Sequence, residues 1–264
     1  MNAGMLPDSS PPHLAGSAEA LNGGAALVIG AGGGLGAALV ANLSGVPGAQ
    51  GGTATAPAYP AVLALSRSSF PPIDYGDEAS LQAAAAWVAA QCFESGLALR
   101  LIVVASGFLH GAQGQPERSL APLDADYLSH VFRINAIGPA LVMKHFLPLF
   151  PKQGRCVAAF VSAKVGSIGD NALGGWYGYR ASKAALNQLV KTASIELTRR
   201  NRASVCVALH PGTVDTALSR PFAKTRLTVR PAEEAASDLR AVLDGLTPGD
   251  TGCLLDYRGA KLPF

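Results

Sequence analysis

Short apolar runs alternate with longer helical stretches along most of the chain. Unbroken apolar runs of this length are typical of parallel strands that are buried on both faces. The pattern therefore predicts an α/β fold. The predicted strands lie within 25–29, 61–65, 97–105, 155–161, 203–209 and 252–257, and the predicted helices within 37–43, 78–92, 124–150, 184–199 and 231–246.

Three segments show neither the apolar run of a buried strand nor the apolar spacing of a helix. Residues 1–24 are rich in Pro, Ser, Gly and Ala and are expected to form a flexible tail, which leaves 25–264 as a single domain. Residues 44–60 have the composition of an extended surface loop. Residues 217–230 follow a predicted strand end and are a candidate substrate lid.

Composition and charge narrow the possible functions. The chain of 264 residues is 49% hydrophobic and 15% charged, so it can bury a large core. A net charge of +3 gives no support for a nucleic-acid or membrane-surface partner. Four cysteines without metal-like spacing indicate free thiols in a reducing compartment. With no membrane span and no secretory signal, we expect a cytoplasmic protein without a metal.

A glycine-rich turn follows the first predicted strand. Gly30, Gly34, Leu35 and Gly36 lie in this turn, and a helix comes next. Bare backbone N–H groups at the start of a helix can bind a pyrophosphate. A merely flexible turn is the alternative, but the flanking strand and helix favour nucleotide binding.

The second predicted strand ends at Ser66-Arg67. In dinucleotide-binding folds this position meets the adenosine ribose, where an acidic residue selects the 2′-hydroxyl and a basic one the 2′-phosphate. The planar guanidinium of Arg67 suits phosphate, so the sequence favours NADP over NAD. A solvated surface arginine is the alternative.

Tyr179 and Lys183 lie four positions apart at the start of a predicted helix, so they share one helix face. A tyrosine with a pKa of about 10 is a poor base at neutral pH. A cation beside it favours the phenolate and would lower that pKa toward the working range. The alternative is an amphipathic surface helix in which the spacing has no chemical role.

Asn135 lies within the predicted helix 124–150, four residues before Pro139. Because proline has no N–H, the carbonyl of Asn135 loses its helical partner and could hold a water molecule in a proton relay. A purely structural kink is equally compatible with this stretch.

Four separated features together resemble the short-chain dehydrogenase/reductase family, from about Ala25 to the C-terminus. They are the glycine turn, Asn135, the pair Tyr179/Lys183, and the run Pro211-Gly212-Thr213-Val214-Asp215-Thr216. The sequence around the last two features is similar to the branch that contains the C-factor protein and sniffer-type carbonyl reductases. This resemblance implies a doubly wound Rossmann fold, with a seven-stranded parallel sheet and helices on both faces.

The resemblance also implies roles. Tyr179 would be the acid/base, Lys183 would lower its pKa and bind the nicotinamide ribose, and Asn135 would hold the relay water. Asp74 would meet the adenine, and Val214 and Thr216 the carboxamide. The complete set of predicted cofactor-binding residues is Gly30, Gly34, Leu35, Gly36, Ser66, Arg67, Asp74, Ser106, Gly107, Asn135, Tyr179, Lys183, Pro211, Gly212, Val214 and Thr216.

The chain departs from the family pattern at the catalytic serine. Counted from Gly166, that serine should occupy position 163, which is alanine. Ser162 is one residue early, and neighbours on a strand face opposite ways. A bulge could redirect Ser162, which we take as the catalytic candidate, or Ser167 could act from the following loop.

Two functions are compatible with these features. The first is an NADP-dependent oxidoreductase that interconverts a small-molecule carbonyl and its alcohol, in a homo-oligomer as the resemblance implies. The second is a nucleotide-binding signalling or regulatory protein of the same fold with little catalysis. The displaced serine favours the second, whereas retention of Tyr179, Lys183 and Asn135 favours the first.

The assignment of Arg67 to the 2′-phosphate predicts a selective binding defect. We expect Arg67→Ala to weaken NADPH binding far more than NADH binding, because only NADPH carries the phosphate. Dissociation constants for both nucleotides measure the effect. An equal loss for the two nucleotides, or no loss, would refute this role.

Overall fold

The computed structural model describes residues 23–46, 57–222 and 229–264. Its strands are β1 (Ala25–Ile29), β2 (Ala61–Leu65), β3 (Leu99–Val104), β4 (Cys156–Val161), β5 (Ser204–His210), β6 (Thr213–Val214), β7 (Val229–Arg230), β8 (Leu254–Asp256) and β9 (Lys261–Leu262). Its α-helices are α1 (Gly34–Ser44), α2 (Glu78–Ser95), α3 (Ala125–Phe132), α4 (Gly138–Phe146), α5 (Tyr177–Arg200) and α6 (Ala232–Gly245). All the predicted strands and helices are present.

Seven strands form one sheet in the order β2-β1-β3-β4-β5-β8-β9. The first six are parallel, whereas β9 is antiparallel to β8. The expected doubly wound seven-stranded sheet is therefore confirmed, with one correction: the edge strand β9 runs in the opposite direction. It does so because the chain reverses through the turn after Asp256, whose carboxylate accepts hydrogen bonds from the backbone N–H groups of Arg258 and Ala260.

Helices cover both faces of the sheet. Along β1, Leu27 and Ile29 pack into the core under α2, α4 and α5, while Ala26 and Val28 pack into the core under α1 and α6. This alternation follows from the two-residue period of a strand. It also explains the unbroken apolar runs, since both faces are buried.

The predicted helix 124–150 is divided. Asp124 caps α3 by accepting a hydrogen bond from the backbone N–H of Tyr127. A π-helical turn, Arg133–Ile137, then joins α3 to α4, and Pro139 lies in the first turn of α4. The expected kink is therefore a π-turn that contains Asn135, and single-turn π insertions are frequent at functional sites.

Parts of the three segments without a period lie outside the described residues: 1–22 of the tail, 47–56 of the loop and 223–228 of the candidate lid. The described part of the lid forms a 3₁₀ turn, Arg220–Phe222, and the strand β7, which pairs with β6. Across the described residues, no helix combines the length and apolarity needed to cross a membrane.

Candidate active site

The carboxyl ends of β1 to β5 lie along one edge of the sheet because these strands are parallel. The strand order reverses between β1 and β3, and ligands of open α/β sheets bind at such a point. Gly30 and Ser106 follow these two strands. They approach so closely that a Cβ on Gly30 would lie 2.6 Å from the Ser106 backbone nitrogen.

The glycine turn is compact. Gly30 has φ 90°, which favours glycine. A Cβ on Gly36 would lie 2.2 Å from the carbonyl oxygen of Gly30, so the turn and the first residues of α1 pack without room for a side chain. The assignment of this turn to nucleotide binding stays a prediction.

The N-terminus of α1 is open to a ligand. Gly33 precedes the helix and provides no side-chain cap. The backbone N–H groups of Gly34, Leu35 and Gly36 make no hydrogen bond to a described residue. Free N–H groups and a positive helix end suit a pyrophosphate, so this part of the chain fits a dinucleotide.

Polar side chains follow β2 beside the glycine turn. A Cβ on Gly32 would lie 3.5 Å from the Cβ of Ser66, so the two segments are adjacent. Ser66 Oγ lies 3.2 Å from Ser68 Oγ. Arg67 is exposed and forms no ion pair with a described residue. Ser68 was not singled out from the sequence; its hydroxyl adds a donor beside Arg67.

Asp74 and Ser106 are each held by local contacts. The Asp74 carboxylate accepts a hydrogen bond from the backbone N–H of Gly76 at 2.7 Å and is exposed. Ser106 Oγ lies 2.7 Å from the hydroxyl of the buried Tyr75, which sequence reasoning missed. Tyr75 therefore anchors the start of the loop that follows β3.

Gly107 lies close to Asn135 and Lys183, beside the crevice at the carboxyl ends of the strands. A Cβ on Gly107 would lie 3.7 Å from Asn135 Oδ1 and 3.8 Å from Lys183 Nζ. Asn135 is fully buried, and its side-chain amide accepts from the N–H of Phe108 and donates to the carbonyl of Phe108, both at 2.8 Å. The amide of Asn135 therefore fixes the loop after β3, a role beyond the predicted water relay.

The predicted run from Pro211 to Thr216 also reaches the site. A Cβ on Gly34 would lie 3.1 Å from Cγ2 of Thr216, so this loop borders the glycine turn. Val214 is buried and lies in β6. Gly212 has φ 78° and lies against the ring of Tyr257.

Tyr179 and Lys183 lie on the buried face of α5, with exposed fractions of 9% and 2%. Lys183 Nζ lies 5.9 Å from the centre of the Tyr179 ring and donates a hydrogen bond to the Val161 carbonyl at 2.9 Å. The phenol oxygen makes no hydrogen bond to a described residue, which leaves it available to a ligand.

The expected lowering of the Tyr179 pKa by Lys183 is wrong for this geometry. Burial raises the pKa of Tyr179 to about 12 and lowers the pKa of Lys183 to about 8. Burial penalises the charged form of each group, and here it outweighs their mutual attraction. At neutral pH the pair is a protonated phenol beside an ammonium group.

Neither serine candidate reaches Tyr179 through a hydrogen bond. Ser162 continues the face of β4 that packs under α5, and its hydroxyl donates to Asn187 Oδ1 at 2.7 Å. Ser167 Oγ accepts from the backbone N–H of Asp170 at 3.1 Å. Ala163 instead packs against Tyr179. The β-bulge suggested for Ser162 is absent, since β4 pairs in register with β5 up to Val161.

Apolar and aromatic side chains surround Tyr179. Leu109 and Ala163 are buried against it, and Leu218 packs on the same cluster. The ring of Trp176 lies 6.1 Å from that of Tyr179 and 5.3 Å from that of Phe222, both edge to face. Leu218 and Phe222 lie in the segment 217–230 that the sequence marked as a candidate lid, whereas the sequence gave no signal for Leu109.

Asp170 and Asn171, in the loop before α5, are both exposed and have local partners. Asp170 pairs with Lys164 at 3.4 Å, and Asn171 Oδ1 accepts from the backbone N–H of Gly174 at 3.1 Å. They stabilise the loop. No group of three or more His, Cys, Asp or Glu side chains suited to a metal ion occurs among the described residues.

A family model described as short chain dehydrogenase matches residues 24–227. This match covers most of the chain, and the fold and the site agree with it. The chain belongs to the short-chain dehydrogenase family.

Three curated relatives align with parts of the chain. C-signal of Myxococcus xanthus is 38% identical over 143 residues, which are 53% of this chain and 82% of that protein. Oxidoreductase C663.09c of Schizosaccharomyces pombe is 32% identical over 50% of this chain, but only 56% of its own length. The 1-hydroxy-2-glutathionyl-2-methyl-3-butene dehydrogenase of Rhodococcus sp. strain AD45 is 31% identical over 69% of this chain and 74% of that protein.

Solved structures share the fold at low identity. The NADPH-bound carbonyl reductase from chicken fatty liver has a TM-score of 0.76 and 24% identity, covering 92% of this chain and 95% of that chain. Carbonyl reductase Sniffer of D. melanogaster has a TM-score of 0.74 and 21% identity, covering 92% and 100%. At these identities the likeness establishes the fold alone.

Proposed function

We propose that this protein is an NADP-dependent oxidoreductase that interconverts a carbonyl compound and its alcohol, with Tyr179 as the acid/base. One observation carries the proposal. The available phenol of Tyr179 and the buried ammonium of Lys183 lie at the crevice where an open glycine turn, Gly107 and Asn135 also converge. A helix face with only a structural role would not be expected to carry a tyrosine hydroxyl without a hydrogen-bond partner beside a buried cation.

The chain has residues suited to the pyrophosphate and to both riboses of the cofactor. The N-terminus of α1 would hold the pyrophosphate, Ser66 and Arg67 the ribose phosphate, and Lys183 the second ribose. When bound, NADPH supplies the hydride. The exposed position of Arg67 next to the glycine turn supports NADP, since no acidic side chain follows β2 there.

Tyr179 is poised to donate a proton. Because its pKa is about 12, the phenol is protonated at neutral pH and can donate to a carbonyl oxygen as negative charge develops there. Donation leaves a phenolate in a buried site. The Lys183 ammonium, 5.9 Å from the ring centre, is the cation that stabilises it.

The lining around Tyr179 suits an uncharged organic substrate. Leu109, Trp176, Leu218 and Phe222 present apolar surface beside the phenol. An apolar wall also excludes water, which strengthens the electrostatic effect of Lys183 on the reacting oxygen.

One observation favours a second function, a nucleotide-binding signalling or regulatory protein. Position 163 has no hydroxyl to polarise a substrate carbonyl, and the hydroxyls of Ser162 and Ser167 have other partners. Such a protein would bind the nucleotide through the same residues without rapid turnover of a substrate.

Removal of the Tyr179 hydroxyl distinguishes the two functions. We expect Tyr179→Phe to lower kcat about a hundredfold or more, the usual contribution of a general acid, while NADPH binds normally. NADPH oxidation with aldehydes, ketones and quinones measures turnover, and nucleotide fluorescence measures binding. If wild-type protein turns over none of them, or if Tyr179→Phe retains full biological activity, the enzymatic function is excluded.

The pKa of Lys183 predicts the pH dependence of carbonyl reduction. Lys183 is cationic below a pH of about 8 and neutral above it. We therefore expect kcat to fall as the pH rises through about 8, because the phenolate loses its stabilising charge. Lys183→Met should remove this transition, whereas Lys191→Met, an exposed change on the same helix, should retain it. A kcat that stays constant up to pH 10 would contradict this role.

Position 163 provides a gain-of-function test. We expect Ala163→Ser to raise kcat/KM about tenfold, since one added hydrogen bond to the reacting oxygen contributes roughly 1–1.5 kcal/mol. Ser162→Ala is the matched control. It should lower stability, because Asn187 loses its partner, but leave kcat/KM near the wild-type value. An unchanged kcat/KM in Ala163→Ser would show that the alanine is not limiting.

A further inference from the structure

The chain enters α5 through three consecutive residues in the left-handed conformation. Gly174, Gly175 and Trp176 have φ values of 63°, 66° and 54°. Trp176 is the only non-glycine residue with positive φ among residues 23–46, 57–222 and 229–264. A bulky residue in this conformation is unfavourable and persists only where its surroundings impose it.

Glu117 imposes this conformation from the loop between β3 and α3. Its side chain is 3% exposed, and both carboxylate oxygens accept from the backbone N–H of Gly178 at 3.2 Å. Its backbone carbonyl accepts from the N–H of Trp176 at 2.5 Å. One residue thus binds the main chain on both sides of the start of α5.

The carboxylate replaces a missing cap. Trp176 precedes α5 but provides no side-chain hydrogen bond to its first turn. A negative charge at a helix N-terminus is favourable, because unpaired N–H groups and the helix dipole both stabilise it. Gly178 is needed for this contact, since a Cβ there would lie 3.0 Å from Glu117 Oε1 and 2.9 Å from Leu128 Cδ2.

These contacts locate two side chains of the candidate site. Tyr179 directly follows Gly178, and the Trp176 ring lies edge to face on Tyr179 and Phe222. A shift of the first turn of α5 would move the phenol and the aromatic wall together. A change at Glu117 therefore reaches the site through the backbone, without contact between Glu117 and the phenol.

We propose that Glu117 is a positioning residue: its buried carboxylate fixes the first turn of α5 and thereby sets Tyr179 and Trp176 against the substrate. This inference rests on the proposed reductase function for its kinetic consequence. Its structural consequence, the immobilisation of Trp176 and Gly178, holds whether or not the protein turns over a carbonyl.

Kinetics of two variants test the proposal. We expect Glu117→Ala to lower kcat about tenfold to a hundredfold, because a displacement of about 1 Å in a reacting group can cost about a hundredfold. The Kd for NADPH should change less than about twofold, since the hydrogen bonds of Glu117 go to the start of α5 and none goes to the glycine turn. Glu117→Gln retains an acceptor for Gly178 and should recover most of kcat. Glu196→Ala and Glu196→Gln, exposed changes on α5, should match wild type.

A spectroscopic readout separates positioning from general destabilisation. Trp87 and Trp176 are the two tryptophans, so a Trp87→Phe background makes Trp176 the only reporter. In this background we expect Glu117→Ala to red-shift the Trp176 emission and to accelerate amide exchange at Gly178, with Glu117→Gln intermediate. Amides in β4 should keep their protection in folded protein.

The outcomes are distinct. The proposal is overturned if Glu117→Ala folds and keeps wild-type kcat, or if Trp176 emission and Gly178 exchange do not change. It is also overturned if Glu117→Gln loses kcat and NADPH affinity by the same factor. If Glu117→Ala does not fold, the same measurements of kcat, Trp176 emission and Gly178 exchange on Glu117→Gln test the proposal. If wild type reduces no carbonyl while the exchange and emission changes occur, the proposed function fails and the positioning role stands.

Discussion

The site depends on how α5 is seated against the end of β4. Lys183 is almost fully buried, and burial of an ammonium group is costly unless it is hydrogen-bonded. The Val161 carbonyl supplies that bond at 2.9 Å, at the last residue of β4. A shift of α5 along its axis would withdraw this partner. Since Tyr179 lies one turn earlier on the same face, the bond that retains Lys183 also fixes the height of the phenol in the crevice.

The same burial determines the direction of proton transfer that the bare site favours. It raises the pKa of Tyr179, so the phenol keeps its proton, and it lowers that of Lys183, so this ammonium loses its proton more readily than an exposed lysine would. A proton can leave the phenol at little cost only when an adjacent oxygen is becoming negative. In the proposed reductase, proton donation would therefore require a reacting carbonyl beside the phenol, a condition that an exposed tyrosine would not impose.

Sequence patterns predicted the features that depend on neighbouring residues in the chain, such as the bounds of strands. β1 begins and ends where its apolar run does, because a strand buried on both faces needs an uninterrupted run. The bounds of β2 also match its apolar run, although this strand lies at the sheet edge and is mostly only partly buried. The direction of the Tyr179 pKa shift was missed, because a sequence shows the neighbouring charge but not the burial that outweighs it. Glu117 was missed for a related reason. It lies 61 residues from Gly178 in sequence, and a glutamate in a polar loop gives no sign that it will be buried.

This chain has alanine at position 163, where the family pattern has serine, and this difference affects only one side of the site. Gly107 lies beside Asn135 and Lys183, and Gly34 lies beside Thr216. Ala163 lies in a separate cluster with Leu109 and Tyr179 on the substrate side. Loss of a hydroxyl there leaves a compact apolar contact and no unpaired polar group. The residues proposed to hold the nucleotide therefore lie in contact with one another, whereas the proposed substrate side differs from the family pattern at the single position 163.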